Sequence, residues 1–198
     1  MALPRLFVVP NPGNPTDLVD RTDDELMTLS QAGSKKAFAV LVAKHARRVF
    51  ATCARLVNDS RRGEELAQDT WVKVWEQRAR YQVGTSFVPW LLTLACNHCR
   101  NSLRRTNRGR ELEIRDEASD IDATPEQVDA LIAEERRRQV RAALTELPAA
   151  MQEALLMRYA EELRYDEMTV VLGSSESTLR SRVHHGLKQL RRHLEKQS

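Results

Sequence analysis

The 198-residue sequence predicts an all-α protein: two small helical domains joined by a flexible charged linker. Three observations carry that expectation. Apolar side chains recur at spacings of three and four over long stretches, which aligns them along one face of a helix. The composition is 41% hydrophobic but only 5% aromatic, with 7 Gly and 7 Pro, which suits helices better than a β-sandwich. The segment NRGRELEIRDEASDIDATPEQ, residues 107–127, is highly charged and almost without large apolar residues, so it builds no core and reads as the linker.

Residues 1–21 hold four prolines and no sustained periodicity, which predicts a flexible leader. Its LFVVP run is too short for a signal-peptide core, and no run of about 18 apolar residues exists, so a cytoplasmic location is expected. The first domain, 22–106, opens with TDDELMTLSQAG, which has the acidic first turn of a capped helix. A break at Gly33 precedes a second helix carrying Phe38, Leu41, Val42, Val49, Phe50 and Leu56. After the turn NDSRRG, Leu66, Thr70 and Val74 at spacing four predict a third helix beside Trp71 and Trp75. YQVGTS reads as a loop, and FVPWLLTLACNHCRNSLRR as a fourth helix beginning near Pro89, where a first turn tolerates proline.

The second domain, 128–198, has four elements: VDALIAEERRRQVRAALTEL ending before Pro148, AAMQEALLMRYAEEL, RYDEMTVVLG and SSESTLRSRVHHGLKQLRRHLEKQ. The last two have the grammar of a helix-turn-helix: a short helix, a Leu-Gly turn, and a second helix capped by Ser174 or Ser175. Leu179, Val183, Leu187, Leu190 and Leu194 form one inward stripe. The other faces carry Ser177, Arg180, Ser181, Arg182, His184, His185 and Lys188. These groups donate to phosphates, and arginine also pairs bidentately with guanine. A solvated amphipathic bundle helix is the ordinary alternative. Adjacent His184 and His185 project about 100° apart and make no natural chelating pair.

Net charge is only +3, from 31 Lys and Arg against 28 Asp and Glu, so a nucleic-acid signal must lie in where the charges sit. Cys53, Cys96 and Cys99 are an odd number without an export signal, which argues for reduced thiols. Cys96, His98 and Cys99 allow a metal or thiol switch, since residues three apart share a helix face. Zinc usually takes four ligands, however, and small cysteines in a helix are commonly just packing. No P-loop, HExxH, nucleophile elbow or dinucleotide fingerprint is present, so no enzyme, metal or cofactor is expected.

The ordered features of the second domain, Leu147, Pro148, Tyr165, Glu167, Leu172, Gly173, Thr178, Ser181 and Arg182, resemble region 4 of the sigma-70 family of bacterial RNA polymerase sigma factors. In the first domain, DELMTLSQAGSKKAFAVLVAKHARRVF resembles region 2.1 and EELAQDTWVKVW region 2.2. Phe87, Trp90, Leu94, Ala95 and Asn97 match the spacing of regions 2.3 and 2.4. Together these blocks resemble the extracytoplasmic-function group. The resemblance implies a factor that binds core RNA polymerase and directs promoter-specific initiation, with any catalysis left to the polymerase. Polymerase binding would fall to Glu65, Gln68, Asp69, Trp71 and Trp75, although the tryptophans equally suit the core. The minus-10 element would be held by Asn97, Arg100, Asn101, Arg104 and Arg105, with Tyr81, Phe87 and the loop 82–86 as walls for an unstacked base. The minus-35 element would be read by Ser177, Thr178, Arg180, Ser181, Arg182, His184, His185 and Lys188. His185 stands where arginine is common, and Asn101 where aspartate is. The linker acids Glu111, Glu113, Asp116, Glu117, Asp120 and Asp122 would run along the RNA exit path or simply be solvated. Promoter DNA, core polymerase and an anti-sigma protein are the implied partners, without membrane insertion.

Overall fold

The computed structural model describes residues 18–107 and 138–196, and all the regular structure among them is helical. The expected leader up to residue 17 and the linker from residue 108, with its six acids, lie outside the described residues. Helix α1 spans Asp23–Gln31, α2 Lys35–Val57, α3 Ser60–Gln77 and α4 Phe87–Asn107. Residues 138–145 form α5, followed by α6 Ala149–Leu155, α7 Tyr165–Leu172 and α8 Glu176–Glu195.

Local chemistry sets these boundaries. Thr22 and Glu25 make a reciprocal capping box: Glu25 N–H donates to Thr22 Oγ1 at 3.3 Å, and Thr22 N–H donates to Glu25 Oε2 at 2.8 Å. Ser34 caps α2 through Ala37 N–H, and Asp59 caps α3 through Arg62 N–H. Asn58, at φ 52°, ends α2 in the left-handed conformation that asparagine tolerates. The expected six-residue turn is therefore shorter, because α3 already begins at Ser60.

Two apolar cores form. The first gathers Leu26, Met27, Leu41, Val49, Val74, Tyr81, Phe87 and Leu91 from α1 to α4. Leu18 is also buried there, so packing begins before the expected start at residue 22. Phe50, one of the apolar residues that mark the helical spacing of α2, is 38% exposed; Thr52 and Cys53 take the inward positions of that turn. Helices α2 and α3 approach so closely that a Cβ added at Gly63 would lie 2.5 Å from Ala54 Cα. Backbone cannot yield as a side-chain tip can. Gly63→Ala is accordingly expected to cost about 3 kcal/mol, measurable as a lower urea midpoint at unchanged slope.

The second core joins the halves of the chain. Leu92 and Cys96 of α4 are buried together with Leu147, Leu155, Met157, Met168, Val171, Leu179 and Val183. One edge of α4 thus serves each core. Within α8, Leu187 departs from the expected stripe and is 40% exposed. Gly186 is buried in its place: a Cβ there would lie 3.1 Å from Leu155 Cδ1, so α8 crosses α6 at a residue with no side chain.

Candidate nucleic-acid interface

The α7–α8 turn forms as its residues require. Glu167 Oε2 accepts from Arg164 N–H at 2.9 Å, which starts α7, and Gly173 ends it at φ +62°. Of the two candidate caps for α8, Ser175 fills the role, accepting from Thr178 N–H at 3.3 Å. Ser174 accepts instead from Arg182 Nη1 at 3.0 Å, so Arg182 is half-buried and braces the turn. Ser177, Thr178, Arg180, Ser181, His184, His185 and Lys188 are all exposed on the outer face of α8. Arg180 is held along that face by Glu176, with its guanidinium carbon 4.3 Å from the Tyr165 ring centroid. Cation–π contact and a salt bridge orient the side chain without removing it from solvent.

The α4 group divides. Asn97, Asn101, Arg104 and Arg105 are exposed. Arg100 is occupied by a bidentate pair with Glu153 of α6, Nε to Oε1 and Nη2 to Oε2 both at 2.8 Å. Its planar fork matches the carboxylate geometry, and Nη1 also donates to Asn97 Oδ1 at 3.3 Å. Tyr81 and Phe87 are 3% and 4% exposed and pack edge-on at 5.7 Å, so these rings support the core rather than line an open pocket. The loop they flank, 82–86, is exposed throughout.

Residues 41–109 match Sigma-70 region 2, and residues 137–190 match Sigma-70, region 4. RNA polymerase sigma factor CarQ of Myxococcus xanthus is 34% identical over 160 residues, which span 80% of this chain and 90% of that protein. ECF RNA polymerase sigma factor SigK of Mycobacterium ulcerans is 30% identical over 175 residues, spanning 86% and 94% respectively. The chain belongs to the extracytoplasmic-function group of the sigma-70 family. Among solved structures, CnrH in complex with the cytosolic domain of CnrY superposes with a TM-score of 0.66 at 21% identity, over 89% of this chain and 99% of that one. The sigma factor RpoE of Bartonella quintana, in complex with the anti-sigma factor NepR, gives 0.66 at 21% over 81% and 98%. At that identity the likeness establishes the fold.

In this sigma factor Glu65, Gln68 and Asp69 form an exposed edge of α3 within region 2. Trp71 and Trp75 are half-buried on Phe38, with ring centroids 6.0 and 5.0 Å away, and thus serve the core and the surface together. Among the described residues no group of three or more His, Cys, Asp or Glu is placed to hold a metal. Cys96 belongs to the second core, where burial pushes its thiol up to about 12. Cys99 faces the first core, and a hydrogen bond with Cys53, reinforced by burial, raises its pKa. Shifts in that direction disfavour the thiolate that a nucleophile or metal ligand requires. His98 turns toward Asp69, with Nε2 3.4 Å from Oδ2, beyond a well-formed hydrogen bond. No helix among the described residues is long and apolar enough to cross a membrane.

The region 2 to region 4 contact was not foreseen from sequence. A π-helical turn, Leu156–Ala160, ends α6, and Glu162 follows at φ 57°. This exit drives Glu161 inward against α2, where its carboxylate accepts from Thr52 Oγ1 at 2.5 Å and pairs with Arg48 Nε at 3.0 Å.

Two buried histidines give the fold a pH dependence. Burial lowers the pKa of His45, against the opposing pull of Asp23 at 2.8 Å, and burial followed by the Lys73 charge lowers that of His98. The unfolded chain takes up protons near pH 6.5 that the folded chain resists, so stability is complete above that pH and falls as pH drops below it. The melting temperature should decline from pH 7.5 to pH 5.5, and the double variant His45→Gln, His98→Gln should flatten that decline.

Proposed function

We propose that this chain acts in the cytoplasm as the promoter-recognition subunit of RNA polymerase, with region 2 docking on the core enzyme and opening the minus-10 element while region 4 reads the minus-35 element. Its exposed α8 face supports the reading most directly: seven donor or acceptor side chains on the second helix of a helix-turn-helix, left in solvent by the stripe that packs inward. A major groove admits such a helix, and phosphate contacts fix its register while Arg180 reads a base edge. On α4, Asn97, Asn101, Arg104 and Arg105 make a track for the separated strand, and Glu65, Gln68 and Asp69 present the polymerase-facing edge. Arg100 joins the track once it exchanges Glu153 for phosphate, which requires the two domains to part. An anti-sigma protein is the expected regulator, as NepR is the partner in the RpoE structure.

Gel filtration with purified core polymerase tests the docking step. The chain is expected to co-elute with core, and Gln68→Ala with Asp69→Ala to weaken that association. A folded chain that elutes wholly apart from core would contradict the proposal.

A further inference from the structure

A residue outside every block that suggested DNA contact governs the shape of the 82–86 loop. Asp24 sits in the first turn of α1, yet its carboxylate reaches across 60 residues of sequence: Oδ2 accepts from Gly84 N–H at 3.0 Å, and Oδ1 accepts from the Tyr81 hydroxyl. The same hydroxyl oxygen lies 2.5 Å from the Thr85 carbonyl oxygen, so its one proton ties the carboxylate and the far side of the loop together. Thr85 closes the turn on itself, donating to Gln82 O from N–H at 3.1 Å and from Oγ1 at 2.7 Å. Gly84 lies at φ +93°, a conformation that costs glycine little and other residues much. The loop is therefore held at both ends and at its crown, while Gln82, Val83, Thr85 and Ser86 stay exposed.

Val83, next to the glycine of this pinned turn, presents its side chain to solvent at 53% exposure. Its neighbours Gln82, Thr85 and Ser86 supply hydrogen-bonding groups beside it. The resemblance to region 2 gives this loop as a wall for an unstacked base, and holding such a receptor still in advance removes part of the cost of capture.

We infer that Asp24, acting through Tyr81 and Gly84, is the positioning residue that shapes the 82–86 loop to receive an unstacked base of the minus-10 strand. The inference rests on the proposed function and extends it to a residue of α1. Asp24 itself touches no DNA. Its effect runs through the backbone of the turn, and so bears on which base is accepted rather than on polymerase docking.

The test uses the full chain with core polymerase and templates carrying a randomised minus-10 element. Asp24→Ala is expected to bind core within about twofold of wild type, to exchange the Gly84 amide hydrogen at least about tenfold faster, and to flatten base preference at one minus-10 position. Asp24→Asn keeps the volume and one acceptor, and should fall between the two. Tyr81→Phe should shift the same two readouts by less, because the Gly84 bond to Asp24 remains, and combined with Asp24→Ala should add only the loss of the Thr85 contact. If Asp24→Ala does not fold, Asp24→Asn and Tyr81→Phe carry the test alone. Variants that keep wild-type base preference, or wild-type Gly84 exchange, overturn the inference while an active wild type leaves the functional reading intact. A wild-type chain that binds core but starts no transcript overturns both.

Discussion

Arg48→Ala is expected to part the two domains. Glu161 has a side chain only 2% exposed, and Arg48 is its cationic partner among the contacts that hold it. Arg48 and Thr52 stand four apart on α2, one above the other, so both reach the same carboxylate. Without the guanidinium, a buried carboxylate keeps only a neutral hydroxyl. Breaking a buried pair from one side costs about 3–5 kcal/mol, and the 39% exposure of the Arg48 side chain brings the expected value nearer 2–3 kcal/mol. For a chain of this size that corresponds to a melting temperature lower by about 5–10 °C. The cheapest relief is for the carboxylate to reach water by separation of region 4 from region 2, so the radius of gyration in small-angle scattering should increase. Adding Glu161→Gln removes the stranded charge while keeping an acceptor for Thr52, and should restore most of the loss. If Arg48→Ala leaves both melting and dimensions unchanged, the Glu161 contact does not hold the domains together.

The second large effect belongs to α8. Arg180 and Lys188 lie two turns apart on its exposed face, and Arg180 is already extended over Tyr165. Losing an arginine that pairs with a base costs about 1–3 kcal/mol, a ten- to hundredfold loss of affinity for minus-35 duplex. Each lost phosphate contact should also lower the slope of log affinity against log salt by about 1. Arg180→Ala with Lys188→Ala should therefore bind duplex weakly, with a shallower salt dependence and a relaxed preference at one base pair. Titrations at several salt concentrations measure both. Arg182→Ala should act differently, through stability, because its guanidinium is committed to Ser174.

What the sequence discloses and what it hides follows from the range of the interactions. Local chemistry is legible: Thr22 with Glu25, Gly33, the Leu172-Gly173 turn and a serine cap on α8 all appear where short-range rules put them. The inward stripe of α8 was readable at Leu179 and Val183 but failed at Leu187, where the close crossing with α6 selects Gly186. The cysteines show a subtler limit. Cys96 and Cys99 are about 60° apart around α4, and that angle suffices to send them into different cores because two cores meet along one helix. Least legible was the contact between domains. Thr52 and Glu161 are separated by 109 residues, and a glutamate within Ala-Glu-Glu-Leu reads as a solvated helix position until the π-turn rotates it inward. Arg100 was expected to be a DNA-facing arginine, and its bond to Glu153 comes from the same long-range packing. Asp24 was invisible for the same reason, since its partners lie 57 and 60 positions away.

By the proposed function, one chain supplies both polymerase docking and promoter choice. Run-off transcription with purified core polymerase on fragmented genomic DNA measures both at once. Discrete transcripts are expected, whose start sites share a spaced pair of sequence elements and which form only when the chain and core are both present. A folded chain that leaves core transcription unchanged on every template would contradict the proposed function.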